Sequence, residues 1–183
     1  MDDAVRAQAP SATWTRKLAR ARVPLGFVCG VIVLWLAKPE PGTLMAGLPI
    51  AVAGEALRFW AAGHLEKSRE VTQSGPYRFV RHPLYMGSAI MGIGLAIAST
   101  NLIVAVLTGV YLGTTIRAAI KTEEAFLRSA FGGDYDAYSE GRAPVVKRRF
   151  SFERAMRNKE YRAMIGLAIA SLLLVAKMLY GNS

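Results

Sequence analysis

The stretch PLYMGSAIMGIGLAIASTNLIVAVLTGVYLGTTIRAAI, residues 83–120, carries a single charged side chain, Arg117. It is too long for one membrane helix, which needs about 20 apolar residues to cross a hydrocarbon core of roughly 30 Å. Its one polar turn is Thr100-Asn101. The stretch therefore reads as two apolar helices, about 84–99 and 102–120, joined by a turn that forces them to run antiparallel. Such a hairpin returns the chain to the side it came from. Leu84 and Ile120 are expected at one membrane surface, together with the polar residues that flank them.

Three further apolar segments lie outside the hairpin, at about 23–37, 43–63 and 163–180. The first is short, and Arg20 and Arg22 are expected to lengthen it by snorkelling. The expected fold class is all-α, a polytopic membrane protein with five transmembrane helices. Of the 183 residues 52% are hydrophobic, and the net charge is +10. In a soluble protein that basic excess would suggest a nucleic-acid partner, but its distribution gives another reason. Five Lys or Arg precede the first span, four lie within 64–83 and eleven within 117–162, while Lys38 and Lys177 are alone on the opposite side. Twenty of the 23 basic residues thus share one side, which the positive-inside rule makes cytoplasmic. The expectation is a multi-pass integral membrane protein with a cytoplasmic N-terminus, the bilayer as partner and no nucleic acid. Met1-Asp2-Asp3 is acidic and no cleavage site follows the first apolar run, so that run is expected to be retained. The lone Cys29 excludes a disulfide framework. The organisation expected is a cytoplasmic segment 1–22, two helices in 23–63, a core in 64–162 and an additional helix in 163–183.

Both polar stretches at the base of the hairpin carry chemistry-bearing residues. Gly75-Pro76-Tyr77 is a turn signal. In Arg81-His82-Pro83 the proline suits a first helical turn, so its neighbours sit where free N–H groups favour anions. The competing reading of Arg81, His82 and Tyr85 is contact with lipid headgroups at the membrane edge. Glu123 and Glu124 point about 100° apart on a helix, so only one readily faces a pocket. Pairing with Lys121 or Arg128 is the plainer alternative. Glu55 and Arg58 share one face of the second span and are expected to neutralise each other, for structural or functional ends. Gly87, Gly92 and Gly94 would admit a neighbouring helix or a flat ligand, with helix packing the commoner use. His64 and His82 match no metal-ligand spacing, and there is no phosphate-binding loop, nucleophile elbow or dinucleotide fingerprint.

Taken together, Arg81-His82-Pro83-Leu84-Tyr85, the hairpin, Glu123-Glu124, Phe131-Gly132 and Tyr135-Asp136-Ala137-Tyr138 resemble one superfamily. It comprises the integral-membrane methyltransferases related to isoprenylcysteine carboxyl methyltransferase and phospholipid N-methyltransferase. The resemblance covers about residues 60–145. It implies S-adenosylmethionine as methyl donor, bound between the hairpin and the cytoplasmic segments, and contacts at Tyr77, His82, Pro83, Leu84 and Tyr85. It further implies a donor-associated carboxylate at Glu123, a polar contact at His64 and a lining loop at 69–72. Charge matching agrees: Arg81 or His82 suits the donor's carboxylate, Glu123 its ammonium, and Tyr77 or Tyr85 its adenosine or sulfonium. In carboxyl-methylating relatives an arginine one turn before the first glutamate is linked to the acceptor. Here Ala119 stands there, with Arg117 and Lys121 beside it; either is a candidate replacement, and Arg117 is the candidate catalytic residue. Glu124 or His64 is the candidate base for an acceptor that must lose a proton. The expected function is methylation of a lipophilic or lipid-linked acceptor, an isoprenylcysteine-type carboxylate favoured. The alternatives are a phospholipid amine, a small lipophilic thiol or amine, or a non-catalytic membrane transporter or scaffold.

Overall fold

The computed structural model describes residues 25–67, 69–144 and 146–181. The segment 1–22, with its five basic residues, and the start of the first apolar run lie outside the described residues. Among the described residues every regular element is helical. The order is α1 Leu25–Leu36, α2 Pro41–Ala62, a 3₁₀ turn Gly75–Arg78, α3 Pro83–Ala98, α4 Leu102–Phe131, α5 Gly133–Ser139, α6 Phe152–Arg157 and α7 Tyr161–Tyr180. Three of these, α2, α4 and α7, are long and apolar enough to cross a membrane, while α1 and α3 are shorter apolar helices. Large apolar side chains such as Trp35, Met45, Leu102 and Leu172 are exposed, the reverse of a water-soluble surface.

Local chemistry sets the helix ends. Pro41 and Pro83 each stand in the first turn of their helix, where a missing N–H costs nothing. The hairpin turn is as tight as its sequence suggests. Ser99 caps α3, Thr100 takes a positive φ of 50°, and the Asn101 side chain accepts from Ile103 N at 2.9 Å to start α4. The one large departure from expectation is the length of α4. Its apolar part ends near 120, but the helix continues to Phe131, because KTEEAFLRSA is built from strong helix formers. Thirty residues reach about 45 Å, well beyond the hydrocarbon core. Gly132, at φ +47°, stops it.

The tightest packing is between α2 and α3. A Cβ on Gly54 would lie 2.5 Å from Met91 N, and one on Gly94 would lie 2.4 Å from Ala51 N. The glycines of α3 therefore divide their work: Gly87 and Gly94 meet α2, whereas Gly92 meets Leu112 of α4.

Polar contacts gather at the two ends of this bundle. At one end Lys38 N donates to Ser99 O (2.8 Å), Asn101 Nδ2 to Leu36 O (2.8 Å) and Lys177 Nζ to Leu34 O (2.9 Å). The other end holds the far ends of α2 and α4, the starts of α3 and α7, and the connecting segments 63–82 and 132–160. A clamp joins these segments. Arg154 donates to Gly63 O and to Glu66 Oε1, both at 2.7 Å. Asn158 Nδ2 reaches Ala62 O and Leu65 O at 2.9 Å, and Arg148 Nη2 reaches Glu70 Oε2 at 2.8 Å.

Candidate functional site

A cavity of about 630 Å³ opens at the clamped end. Its walls come from the end of α2, the 65–72 loop, the 3₁₀ turn, the start of α3, the polar extension of α4, α5 and the start of α7. Tyr77, Arg81, His82, Pro83, Leu84, Tyr85 and Glu123 all line it, although the glutamate stands 38 to 46 positions further along the chain than the rest. The hairpin accounts for this, since it carries the chain away from the site and back.

His82 is the N-cap residue of α3, and both glutamates address its ring. Nε2 lies 3.2 Å from Glu124 Oε1, and Nδ1 lies 3.9 Å from Glu123 Oε2. Arg81 Nη1 is 3.9 Å from Glu124 Oε1. The divergence of neighbouring helical residues thus gives the pair two tasks: Glu123 faces the cavity, and Glu124 stands behind His82 and Arg81. Tyr77 is buried in the floor, and burial pushes its phenol above the usual range, with Glu123 adding to the effect. Tyr138 Oη donates to Tyr77 O at 2.7 Å and so ties α5 over the cavity. Burial also raises the Tyr138 phenol, to about 12.

Three expected site residues lie outside the lining. Glu124 is one of them. Arg117 is exposed on α4, while Ala119 is buried in the cavity wall. His64 is buried beneath the loop, its Nδ1 3.1 Å from Ser74 Oγ, and its ring so close to Gly75 that a Cβ there would lie 2.4 Å away. Burial, then the charges of Arg154 and Arg148, hold His64 below its ordinary pKa. The 69–72 loop lines the cavity through Glu70, Val71 and Thr72. Glu66 lines it too, with the Arg154 hydrogen bond keeping its carboxyl below the usual range.

The lining also includes Arg58, Asn158 and Glu160, which no motif marks. Arg58 Nε lies 2.7 Å from Glu160 Oε1 and 3.4 Å from Glu55 Oε2, while Nη1 donates to Ser88 Oγ. The expected Glu55–Arg58 pair is thus part of a three-membered cluster. A hint was present in the sequence: Glu160 is an acid beside the last apolar run, on the side where basic residues dominate.

A second cavity, about 380 Å³, lies among α1, α3 and α4. Its walls are mostly apolar, with Cys29, Val33, Met91, Leu95 and Leu112 among them. Arg58 and Tyr85 line both cavities.

A family model described as phospholipid methyltransferase matches residues 50–134, which hold the second half of α2 and all of α3 and α4. The cobalt-zinc-cadmium resistance protein of Cupriavidus metallidurans is 32% identical over 112 residues, 60% of this chain and 50% of that protein. The protein-S-isoprenylcysteine O-methyltransferase of Schizosaccharomyces pombe is 29% identical over 114 residues, 62% of this chain and 44% of that enzyme. The protein-S-isoprenylcysteine O-methyltransferase A of Arabidopsis thaliana is 30% identical over 105 residues, 57% of this chain and 53% of that enzyme. The chain spans about half the length of the curated relatives it matches. No solved structure matches it.

Proposed function

We propose that this chain, whose residues 50–134 match a phospholipid methyltransferase family model, is an integral-membrane methyltransferase that transfers the methyl group of S-adenosylmethionine to a lipophilic acceptor drawn from the bilayer. The observation that carries this reading is the single cavity that gathers Tyr77, Arg81, His82, Tyr85 and Glu123. Its volume of about 630 Å³ suits a nucleoside-sized ligand. Its chemistry suits a zwitterion with an extra positive charge: cationic Arg81 beside His82 for a carboxylate, acidic Glu123 for an ammonium, and the rings of Tyr77 and Tyr85 for adenosine or sulfonium.

Bound there, the donor supplies an electrophilic methyl group on sulfur. The protein's share is alignment and exclusion of water. His82 is oriented by Glu124, which acts as a positioning residue behind the cavity wall. The Tyr138–Tyr77 hydrogen bond holds α5 across the site. The acceptor enters from the apolar second cavity and meets the donor where Arg58 and Tyr85 border both spaces. An isoprenylcysteine-type carboxylate is the acceptor class that the relatives' names support. A lipid-borne amine is the second class, and the acidic cluster around Arg58 favours it.

The topology that goes with this reading has five spans, with α1 and α3 as the short ones. The N-terminus and the active site lie on the cytoplasmic face, where the Lys and Arg excess falls. The test is a membrane assay with donor labelled in the methyl group, alongside calorimetry on purified protein. Label released as methanol by mild base marks an ester, and base-stable label marks N- or S-methylation. A protein that binds no S-adenosylmethionine is a transporter or scaffold, and the proposal fails.

A further inference from the structure

The segment 142–157 at the clamped end contains six Lys or Arg and one acid, Glu153. Part of this charge is engaged. Arg148 pairs with Glu70, Arg154 with Glu66, and Arg157 shares Glu66 at 3.4 Å. Lys147 and Arg149, on either side of Arg148, are exposed and form no ion pair among the described residues. Beside them lies an aromatic surface. Phe150 and Phe152 pack against Phe59 of α2 with ring centroids 5.4 and 5.9 Å away, and the His64 ring lies 6.4 Å from both Phe150 and Trp60. Ser151 N donates to Gly63 O at 3.1 Å, and a Cβ on Gly63 would lie 2.2 Å from the Phe150 ring, so the segment is seated directly on the end of α2. Trp60, Phe150 and Phe152 nevertheless stay 42%, 42% and 63% exposed. A solvated face accounts for Lys147 and Arg149 but not for three exposed rings beside them. Rings at the end of a helix long and apolar enough to span a membrane lie at headgroup depth, where aromatic side chains gather.

We propose that Lys147 and Arg149 bind the phosphate of an acidic phospholipid whose acyl chains pack on Trp60, Phe150 and Phe152. Both side chains donate to phosphate oxygens, and the arginine fork does so in two places. Charge complementarity selects the lipid class: a zwitterionic headgroup brings its own cation to a strongly basic face, and an acidic headgroup does not. The same segment fixes the 65–72 loop of the larger cavity through Arg148 and Arg154, so a lipid held on its outer side braces that loop. Such a site needs no methyl donor and is independent of the methyltransferase reading.

Trp60 is one of three tryptophans, and Trp14→Phe with Trp35→Phe leaves it as the sole reporter. The full chain in this background is reconstituted, without methyl donor, in vesicles of equal parts phosphatidylcholine and phosphatidylglycerol, with bromine on the acyl chains of one lipid or the other. Quenching of Trp60 then gives the relative affinity of the two lipids. Each Lys or Arg near an anionic surface contributes about fivefold, so phosphatidylglycerol is expected to be preferred at least fivefold. Lys147→Gln with Arg149→Gln, both exposed and unpaired, is expected to bring the preference below twofold. Arg117→Gln with Lys121→Gln removes the same charge from the exposed surface of α4 and is expected to leave the preference in place. A preference below twofold without these Gln substitutions, as for unselective lipid contact or a soluble acidic partner, overturns the inference. So does a preference that the Lys147 and Arg149 variant retains in full, or an equal loss in the α4 variant, which would reduce the site to the general charge of this end.

Discussion

His82 owes its position to Pro83, which starts α3 and leaves the imidazole at the helix end between two glutamates. Removing either side of this arrangement should be felt by the donor. His82→Ala and Glu123→Ala are each expected to weaken S-adenosylmethionine binding by roughly 1.5–3 kcal/mol, the range for hydrogen bonds to charged groups, or about 10–100-fold. Calorimetry reads this directly, and unchanged affinity in both variants would remove the site. Arg117→Ala is expected to leave donor affinity unchanged, because Arg117 is exposed on α4 away from the lining. Residues of this kind divide by how local their signal is. Arg81 to Tyr85 and Glu123 were legible because helix starts and helix phase are local properties of sequence. Glu160 and Asn158 were not, because their importance arises only when α7 closes against α2, about a hundred residues away.

At the level of elements, helix-to-helix distance decides stability. Membrane helices associate through packing of small residues, since lipid is as apolar as leucine. Gly54 meets the backbone of Met91 and Gly87, with no flexible side chain to give way. Gly54→Ala should therefore overpack the α2–α3 seam and cost about 1–3 kcal/mol. Gly166 in α7 has nothing within 4 Å of its would-be Cβ, and Gly166→Ala should be neutral or slightly stabilising. Thermal unfolding in one detergent compares the two, and equal midpoints would contradict the packing account. The apolar helices were legible as such, with ends displaced by a few residues, because hydrophobic runs record which segments avoid water. The unbroken run of α4 as far as Phe131 was only partly so: Glu123 and Glu124 read as helical, but apolar content stops where the membrane stops while helix propensity does not. That polar length is what carries Glu123 to the cavity.

For the whole molecule, the two ends of the bundle differ in kind: one is tied by a few hydrogen bonds, the other by a network of charges. The network fixes the cavity's loop through Arg154, Arg148 and Asn158, so acid should loosen the loop before it loosens the helices. His64 is the first group concerned. Burial and the neighbouring Arg154 and Arg148 hold its folded pKa below the ordinary value of about 6.5. Between those two values the unfolded chain binds the proton and the folded chain does not, so stability rises with pH there and falls as pH drops through about 6.5. Glu66 follows at lower pH. Its folded pKa is depressed, so its contribution is complete above the unfolded value of about 4.3 and is lost below it. The unfolding midpoint should be level above pH 7, decline from about pH 6.5 downward, and decline further below about pH 4.3. His64→Asn keeps a polar atom for Ser74 and removes the titration, so it should erase the first decline and leave the second. A first decline that persists unchanged in His64→Asn would mean that another group, not the histidine beneath the loop, senses the acid.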